Sequence, residues 1–384
     1  MDITAFSAAA PGEFISVSIP WSNGSWVQDT AFVPRPLPPQ WDFPVSLWPL
    51  VAEARQQLGL LEGLGRQLPN PDLLLHPLER REAINSSTIE GTIASPRQLV
   101  LFELEPTEQT SEHDPSNSWR EVANYRRALR MGTSGTWPLS RFTIRGLHQE
   151  LLKGVSVNFV PGEFRSTQVV IGSSRRFIPP PPELLNDCLE AFENSIQQPM
   201  SVDGLVDCFL AHYQFEAIHP FPDGNGRVGR LLLSIMLQSR GQLSKPWLHM
   251  SSYFERFKSE YIERLFAVST AGDWTGWIEF CLRGVIDSAH DTVRRCDLLL
   301  KLRDLFKQRV FDAGGNTRLQ QLAEKLFETP YLRVTDCVKL LDITYPTAKS
   351  DLDKLVDAGL LKIDTETATR SYWAPEIVAA AFED

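Results

Sequence analysis

The chain has 384 residues, 42 % hydrophobic and 22 % charged, which is room for two or three packed domains of ordinary globular composition. Its formal charge of −10 argues against a protein that coats nucleic acid or an anionic membrane, since both tasks need clustered positive charge. Five scattered cysteines (Cys188, Cys208, Cys281, Cys296, Cys337) suggest neither a disulfide framework nor a CxxC metal site, and no run reaches about 18 apolar residues. The Met-Asp start lacks the basic stretch of a signal peptide, so free thiols, a cytoplasmic location and no membrane partner are expected.

Residues 1–45 are rich in Pro, Ser and Trp without a clear period, and predict an extended arm with room for one short strand. Helical spacing begins near Trp48 and runs to about Leu68, and a second helix is expected over 77–90, closed by Gly91. The pattern resumes at 96, breaks over 106–117, and predicts helices near 118–131, 141–152, 183–197 and 203–217. Between two of these, Glu163–Arg165, Ser166–Ile171, a turn at Gly172-Ser173-Ser174 and Arg175–Ile178 predict a β-hairpin, ended by four prolines at 179–182. Further helices are expected near 226–239, 253–269 and 273–311. The last 60 residues change pattern: helices near 334–341 and 345–358, then short strands at Leu360–Asp364 and Thr369–Trp373, the order of a winged helix.

The chemistry concentrates at 219–230, His-Pro-Phe-Pro-Asp-Gly-Asn-Gly-Arg-Val-Gly-Arg. An apolar helix delivers His219 to a fixed point. Two glycines around Asn225 let several backbone N–H groups face one concavity, and the next helix adds its positive N-terminal end, so the loop predicts a phosphate site. Arg227 and Arg230 are three residues apart on one helical face and suit bidentate contact with phosphate oxygens. Asp223 is a hard carboxylate suited to Mg²⁺ beside phosphates, and His219, whose unperturbed pKa lies near neutrality, suits a base for an attacking hydroxyl. Singly, each of these is more often structural; together within twelve residues they point to transfer from a nucleotide. A Walker loop would carry Lys-Ser/Thr and no leading histidine.

This run resembles the Fic signature, His-x-Phe-x-Asp/Glu-Gly-Asn-Gly-Arg-x-x-Arg, at every fixed position. The resemblance implies transfer of AMP from ATP to a hydroxyl side chain of a protein, possible targets including the chain itself. It implies His219 as base, Asp223 as Mg²⁺ ligand, Gly224, Asn225 and Gly226 as phosphate cradle, and Arg227 and Arg230 on the β- and γ-phosphates. Upstream, Ser86-Ser87-Thr88-Ile89-Glu90-Gly91 is similar to the family's inhibitory helix, Ser/Thr-x-x-x-Glu-Gly/Asn, which implies that Glu90 pairs with Arg230 in the place of the γ-phosphate. The hairpin, with Glu163, Phe164, Arg165, Val169, Val170 and Ile171, is similar to the family's flap, which docks a target segment. Ser252-Tyr253-Phe254, followed by Tyr261, looks like its adenine-side helix, with Tyr253 as a nucleotide contact. A homodimer is also implied by the family.

The fold expected is mainly α: a Fic-type helical core with one β-hairpin flap, plus a small C-terminal winged-helix domain. Its boundaries are an arm at 1–45, a helical region at 46–110 with the inhibitory helix near 77–91, the catalytic core at 111–285, a helical connector at 286–325 and the winged helix at 326–384. Over 330–384, six Lys and Arg face ten Asp and Glu, and the would-be recognition helix carries Lys349 and Lys354 against Asp351, Asp353 and Asp357. DNA is therefore an unfavoured partner, and protein docking or dimer formation the expected role. Three alternatives stay open: removal of AMP by the same site, transfer of another phosphate-linked group, and a nucleotide-sensing transcriptional regulator.

Overall fold

The computed structural model describes residues 1–384 except 21–24, 69, 107–113, 136–137, 173–174, 365–370 and 384. Its centre is a helical pair, α7 (Gly204–Ile218) and α8 (Asn225–Arg240). Nearly every residue of α7 is buried, so it has no solvent face and serves as the core's axis. Around it lie α1 (Trp48–Gln67), α2 (Asp72–Ile89), α3 (Pro96–Leu104), α4 (Ser116–Thr133), α5 (Arg141–Leu151) and α6 (Pro182–Ile196).

After α8 the chain runs through α9 (Ser251–Arg256), α10 (Lys258–Ala271) and the 39-residue α11 (Trp274–Asp312). A single helix was expected over 253–269. The chain instead breaks at Phe257 (φ −111°, ψ 36°), which lets Phe254 stack on Tyr261 with ring centroids 4.4 Å apart. The far half of α11 buries Leu299, Phe306 and Val310. It packs there on α12 (Thr317–Glu328), which was expected only as the tail of a connector.

A small C-terminal β-containing subdomain follows: β3 (Tyr331–Arg333), α13 (Val334–Leu341), α14 (Tyr345–Asp357), β4 (Lys362–Asp364), β5 (Ser371–Trp373) and α15 (Pro375–Phe382). Its antiparallel sheet has the order β3-β5-β4. The helices at 334 and 345 stand where the spacing placed them. Sequence patterning missed β3 and α15, each too short to show a period. Thr369, expected to start the last strand, lies outside the described residues.

Two regions differ from expectation. The arm forms a hairpin of two nine-residue strands, β1 (Gly12–Pro20) and β2 (Trp26–Pro34), paired antiparallel with Phe14 opposite Phe32. One face is apolar, and Val17, Ile19 and Ala31 cluster with Ile178. Conversely, of the hairpin expected over 163–178 the described residues show one antiparallel bridge, Ile171 with Phe177, and the expected turn at Ser173 and Ser174 lies outside the described residues. Arg165 is buried and gives its N–H groups to the carbonyls of His219 (2.8 Å), Pro180 (2.5 Å), Thr167 (3.3 Å) and Ile218 (3.4 Å), so its side chain ties the segment to the end of α7 and to the proline run. The prolines at 179–182 offer no donors in return.

The second helix begins at Asp72, five residues before Pro77, although a proline inside a helix removes a backbone hydrogen bond. Burial of Leu73, Leu74, Leu75 and Leu78 outweighs that loss. Close packing also sets Gly65 on α1, where an added Cβ would fall 2.4 Å from Nε1 of the buried Trp247. Gly65→Ala should destabilise the fold by about 1–3 kcal/mol, as overpacking does. Urea melts of the two chains check this; an unchanged midpoint would show that Trp247 gives way freely.

Candidate active site

The loop is built by two left-handed residues. His219 closes α7 with φ 51° and ψ 62°, and Gly224 (φ 79°) precedes α8. A non-glycine residue in that region costs about 1–3 kcal/mol, and here its surroundings hold it. The His219 N–H donates to Phe215 O at 3.0 Å, and the His219 carbonyl accepts from Arg165. Asn225 accepts from the Phe221 N–H at 2.8 Å and donates to the Phe221 carbonyl at 2.9 Å, so its side chain closes the loop rather than facing a ligand.

Phe221 is fully buried and stacks on His148 of α5, with centroids 3.8 Å apart. His148 accepts the Gly162 N–H at Nδ1 (2.8 Å), and its Nε2 lies 3.1 Å from the Asp223 carbonyl, which makes it the Nε2–H tautomer. Burial holds His148 down to about 4, hence neutral. This residue joins the start of the expected flap to the loop, and nothing in the local sequence signalled it.

Arg230 is buried and donates from Nη2 to Oε1 of Glu90 (2.7 Å) and to the Ser86 carbonyl (2.8 Å), and from Nε to the Ser86 hydroxyl (2.8 Å). Ser86 and Glu90 thus meet Arg230 together, and Gly91 (φ 92°) turns the chain away behind them. Burial alone would raise the Glu90 carboxyl; Arg230 outweighs it and holds the group below the usual range. A Cβ added to Gly226 would fall 2.2 Å from Oε1 of Glu90. The carboxylate therefore lies against the first turn of α8, in the cradle expected for phosphate.

Arg227 is engaged the same way. Its Nη1 donates to Glu121 of α4, a carboxylate that the sequence reading did not single out and that also accepts from the Thr92 hydroxyl (3.2 Å). Asp223 is exposed; one oxygen accepts the Gly224 N–H (2.7 Å) and the other lies 3.6 Å from Arg227. No group of three or more His, Cys, Asp or Glu is gathered for a metal among the described residues. One free-standing carboxylate beside a phosphate cradle does fit Mg²⁺, which takes few protein ligands and completes its shell with water and substrate oxygens.

These residues open on a cavity of 360 Å³ between the 171–177 segment and α10, with Glu90, His219 and Arg230 at its floor and Tyr261 and Phe266 on its wall. Tyr253 is not among the residues lining it; its ring packs on Phe257 and Phe280, 4.9 and 5.0 Å away, whereas Tyr261 lines the cavity. Of the other expected flap residues, Ile171 lines the cavity, Phe164 packs on Phe221 (5.2 Å), Glu163 is exposed, and Val169 and Val170 are half-buried. The hairpin at the N-terminus braces this wall: the Phe32 N–H donates to Ile178 O (2.8 Å), and Asp29 pairs with Arg175 (2.9 Å).

Burial, then Arg165, pulls His219 down to about 4, against the opposing pull of the Glu216 carbonyl and of the Glu90 and Asp223 carboxylates. Its Nδ1 is buried without a hydrogen-bond partner among the described residues. Glu216, one turn earlier on α7, was not anticipated. It lines the cavity, and its Oε1 lies buried without a hydrogen-bond partner among the described residues and so close to Gly229 that a Cβ there would sit 2.2 Å away.

The loop, the carboxylate of Glu90 and the cavity form one contiguous candidate site. Residues 48–134 match the model of the Fic/DOC family N-terminal region, and 138–237 match that of the Fic/DOC family. The chain is a Fic-family protein, related to Fic adenylyltransferases. It is 32 % identical over 120 residues to the "Probable protein adenylyltransferase aq_aa38" of Aquifex aeolicus (strain VF5), covering 31 % of this chain and 36 % of that one. It is 29 % identical over 163 residues to protein adenylyltransferase Fic of Nematostella vectensis, covering 41 % and 37 %. The chain thus spans little more than a third of the length of these relatives. In fold it resembles a Fic family protein from Desulfovibrio desulfuricans G20 (TM-score 0.56, 20 % identity, 87 % of this chain and 97 % of that one). It also resembles a Fic domain containing signaling protein from Bacteroides thetaiotaomicron VPI-5482 (TM-score 0.51, 20 % identity, 64 % and 97 %).

Burial raises Glu216 to about 7, with Arg230 opposing and Glu90 adding to the rise. A carboxyl whose folded pKa lies above its unfolded value of about 4.5 binds its proton more tightly when folded. Its contribution is intact below pH ~4.5 and lost as pH rises towards 7, on the order of 3 kcal/mol in all. Glu216→Gln should raise Tm at pH 8 and change it little at pH 5. Equal shifts at both pH values would contradict the burial argument.

Proposed function

We propose that the chain is a protein adenylyltransferase that transfers AMP from ATP to a Ser, Thr or Tyr hydroxyl of a protein and is restrained by its own Glu90. The observation that carries this reading is the Glu90 carboxylate on Arg230 and over Gly226, where the γ-phosphate of a productive ATP belongs. With Glu90 withdrawn, the first-turn N–H groups of α8 and the Arg230 guanidinium receive the phosphates, and Arg227 joins them on leaving Glu121. Asp223 would hold Mg²⁺, which when bound neutralises phosphate charge.

Nε2 of His219 takes the proton of the target hydroxyl as its oxygen attacks the α-phosphorus, the bond to the β-phosphate oxygen breaks, and pyrophosphate leaves. The low pKa keeps the imidazole neutral and able to accept that proton, at the expense of some basicity. The 163–178 segment docks the target chain beside the cavity through its exposed backbone. We read the C-terminal subdomain as a winged helix for protein docking or dimer formation rather than DNA, given its net negative charge, and a cytoplasmic homodimer as the working form.

A second reading, removal of AMP from a modified protein, is favoured by the place of Glu90 on the cavity floor with His219, where its carboxylate would position water. Wild type, Glu90→Gly and Glu90→Gly/His219→Ala, each incubated with Mg²⁺ and ATP labelled at the α- or γ-phosphate, separate the possibilities. The expected result is protein label from the α position alone, strongest in Glu90→Gly and absent from the double variant. Label from the γ position would make the protein a kinase. No label despite ATP binding, with AMP released from a pre-modified protein, would favour removal.

The pH profile gives an independent check. Since His219 titrates at about 4 and Glu90 holds it up, Glu90→Gly should lower it further. Its kcat/KM should therefore stay level down to about pH 5, whereas a base with the ordinary histidine value of about 6.5 would lose activity below pH 6.5.

A further inference from the structure

The cavity above the loop has two walls from segments far apart in the chain, and the N-terminal arm joins them from behind. One wall carries Ile171 and Phe177, the other Ile262, Leu265 and Phe266 of α10. Phe32 of β2, fully buried, packs on Phe177 with ring centroids 5.7 Å apart. Phe6, ahead of β1, packs on Phe266 at 6.1 Å, and Phe6 and Phe32 lie 5.6 Å from each other. The rings of Phe177, Phe32, Phe6 and Phe266 thus run in a chain from one wall to the other, at separations where aromatic pairs attract.

The backbone follows the same route. The Phe32 N–H donates to Ile178 O and the Ser7 N–H to Thr270 O, each at 2.8 Å. The arm is therefore bonded beside Phe177 on one side and one turn beyond Phe266 on the other. Gly272 closes α10 so near the arm that an added Cβ would fall 2.6 Å from Ala9 O. Across the mouth of the cavity, Arg176 lies 4.1 Å from the centre of the Phe266 ring and pairs with Glu263 at 2.6 Å. That outer pair is exposed and holds little, so the spacing of the walls falls to the rings behind them. Arm and α10 both lie outside the stretches that match the family, 48–134 and 138–237.

We propose that the arm completes the nucleotide site: Phe6 and Phe32 are positioning residues that set the gap between Phe177 and Phe266, in which the base is held. The proposal rests on the nucleotide reading above. Phosphate recognition stays with Arg230 and the first turn of α8 at the floor of the cavity, so the two ends of the ligand depend on different parts of the chain. Aromatic walls bind a base through its faces, and dispersion falls steeply as a gap opens, so affinity for the base follows their spacing.

The test is calorimetric titration of two ligands into Glu90→Gly and Glu90→Gly/Phe6→Ala. One is α,β-methylene-ATP, which cannot be split between its α- and β-phosphates; the other is tripolyphosphate, which has no base. Loss of Phe6 should weaken the nucleotide about fivefold or more and change tripolyphosphate, read directly or by displacement of the nucleotide, less than about twofold. Phe6 is half-buried, so the variant should fold, and its Tm without ligand verifies this. Should it melt early, Phe6→Leu takes its place, with a loss of about threefold expected for the nucleotide alone. Equal nucleotide affinity in the two chains, or an equal fall for both ligands, would overturn the role of the arm and leave the nucleotide site standing. A Glu90→Gly chain that binds no nucleotide would overturn the nucleotide reading and this proposal with it.

Discussion

A guanidinium buried beside the N-terminus of a helix needs an anion, and the structure around the site answers the demand made by Arg230. Its side chain is only 2 % exposed, and an unpaired charge at that depth would be strongly destabilising. Ser86 and Glu90 satisfy it from one helix, which requires that α2 be held in place. Glu82 does part of this, accepting from Tyr125 of α4 at 2.8 Å and from Ser251 of α9 at 2.6 Å. Farther back, Arg80 donates to the Glu328 carbonyl at the end of α12 (2.7 Å), and Arg81 pairs with Asp291 of α11 (2.5 Å). The helix that fills the cradle is thus tied to both halves of the molecule.

The two loop arginines are treated alike. Each has a carboxylate from outside the loop, Glu90 for Arg230 and Glu121 for Arg227, so the site as it stands is charge-satisfied without a nucleotide. On the proposed function, an incoming polyphosphate would exchange one set of anions for another instead of filling a bare cationic pocket. Such an exchange needs little net change in burial, and it makes occupancy depend on how firmly α2 and α4 hold their carboxylates. Glu90 is the more exposed of the two, with its side chain 37 % exposed against 19 % for Glu121.

The wall opposite the loop is supported differently. Among its described residues the 163–178 segment has one β-bridge, yet its shape is fixed by Arg165 from the loop side, His148 at Gly162, and the N-terminal hairpin through Ile178.

The sequence by itself determined the elements whose signal is local. The twelve residues 219–230, the capping glycine at 91, the helical character of the core and the helix pair at 334 and 345 were all legible, because spacing and turn chemistry act within a few residues. Tertiary structure decided whatever depends on a distant partner. The start of α2 at Asp72, ahead of Pro77, follows from leucine burial, and the break at Phe257 from aromatic stacking. Glu121, His148 and Glu216 belong to the site although no motif marks them, since each takes its role from a group 13 to 106 positions away. Tyr253 and Tyr261 carry the same ring eight residues apart, and only the packing of α9 and α10 set one against Phe280 and the other on the cavity wall.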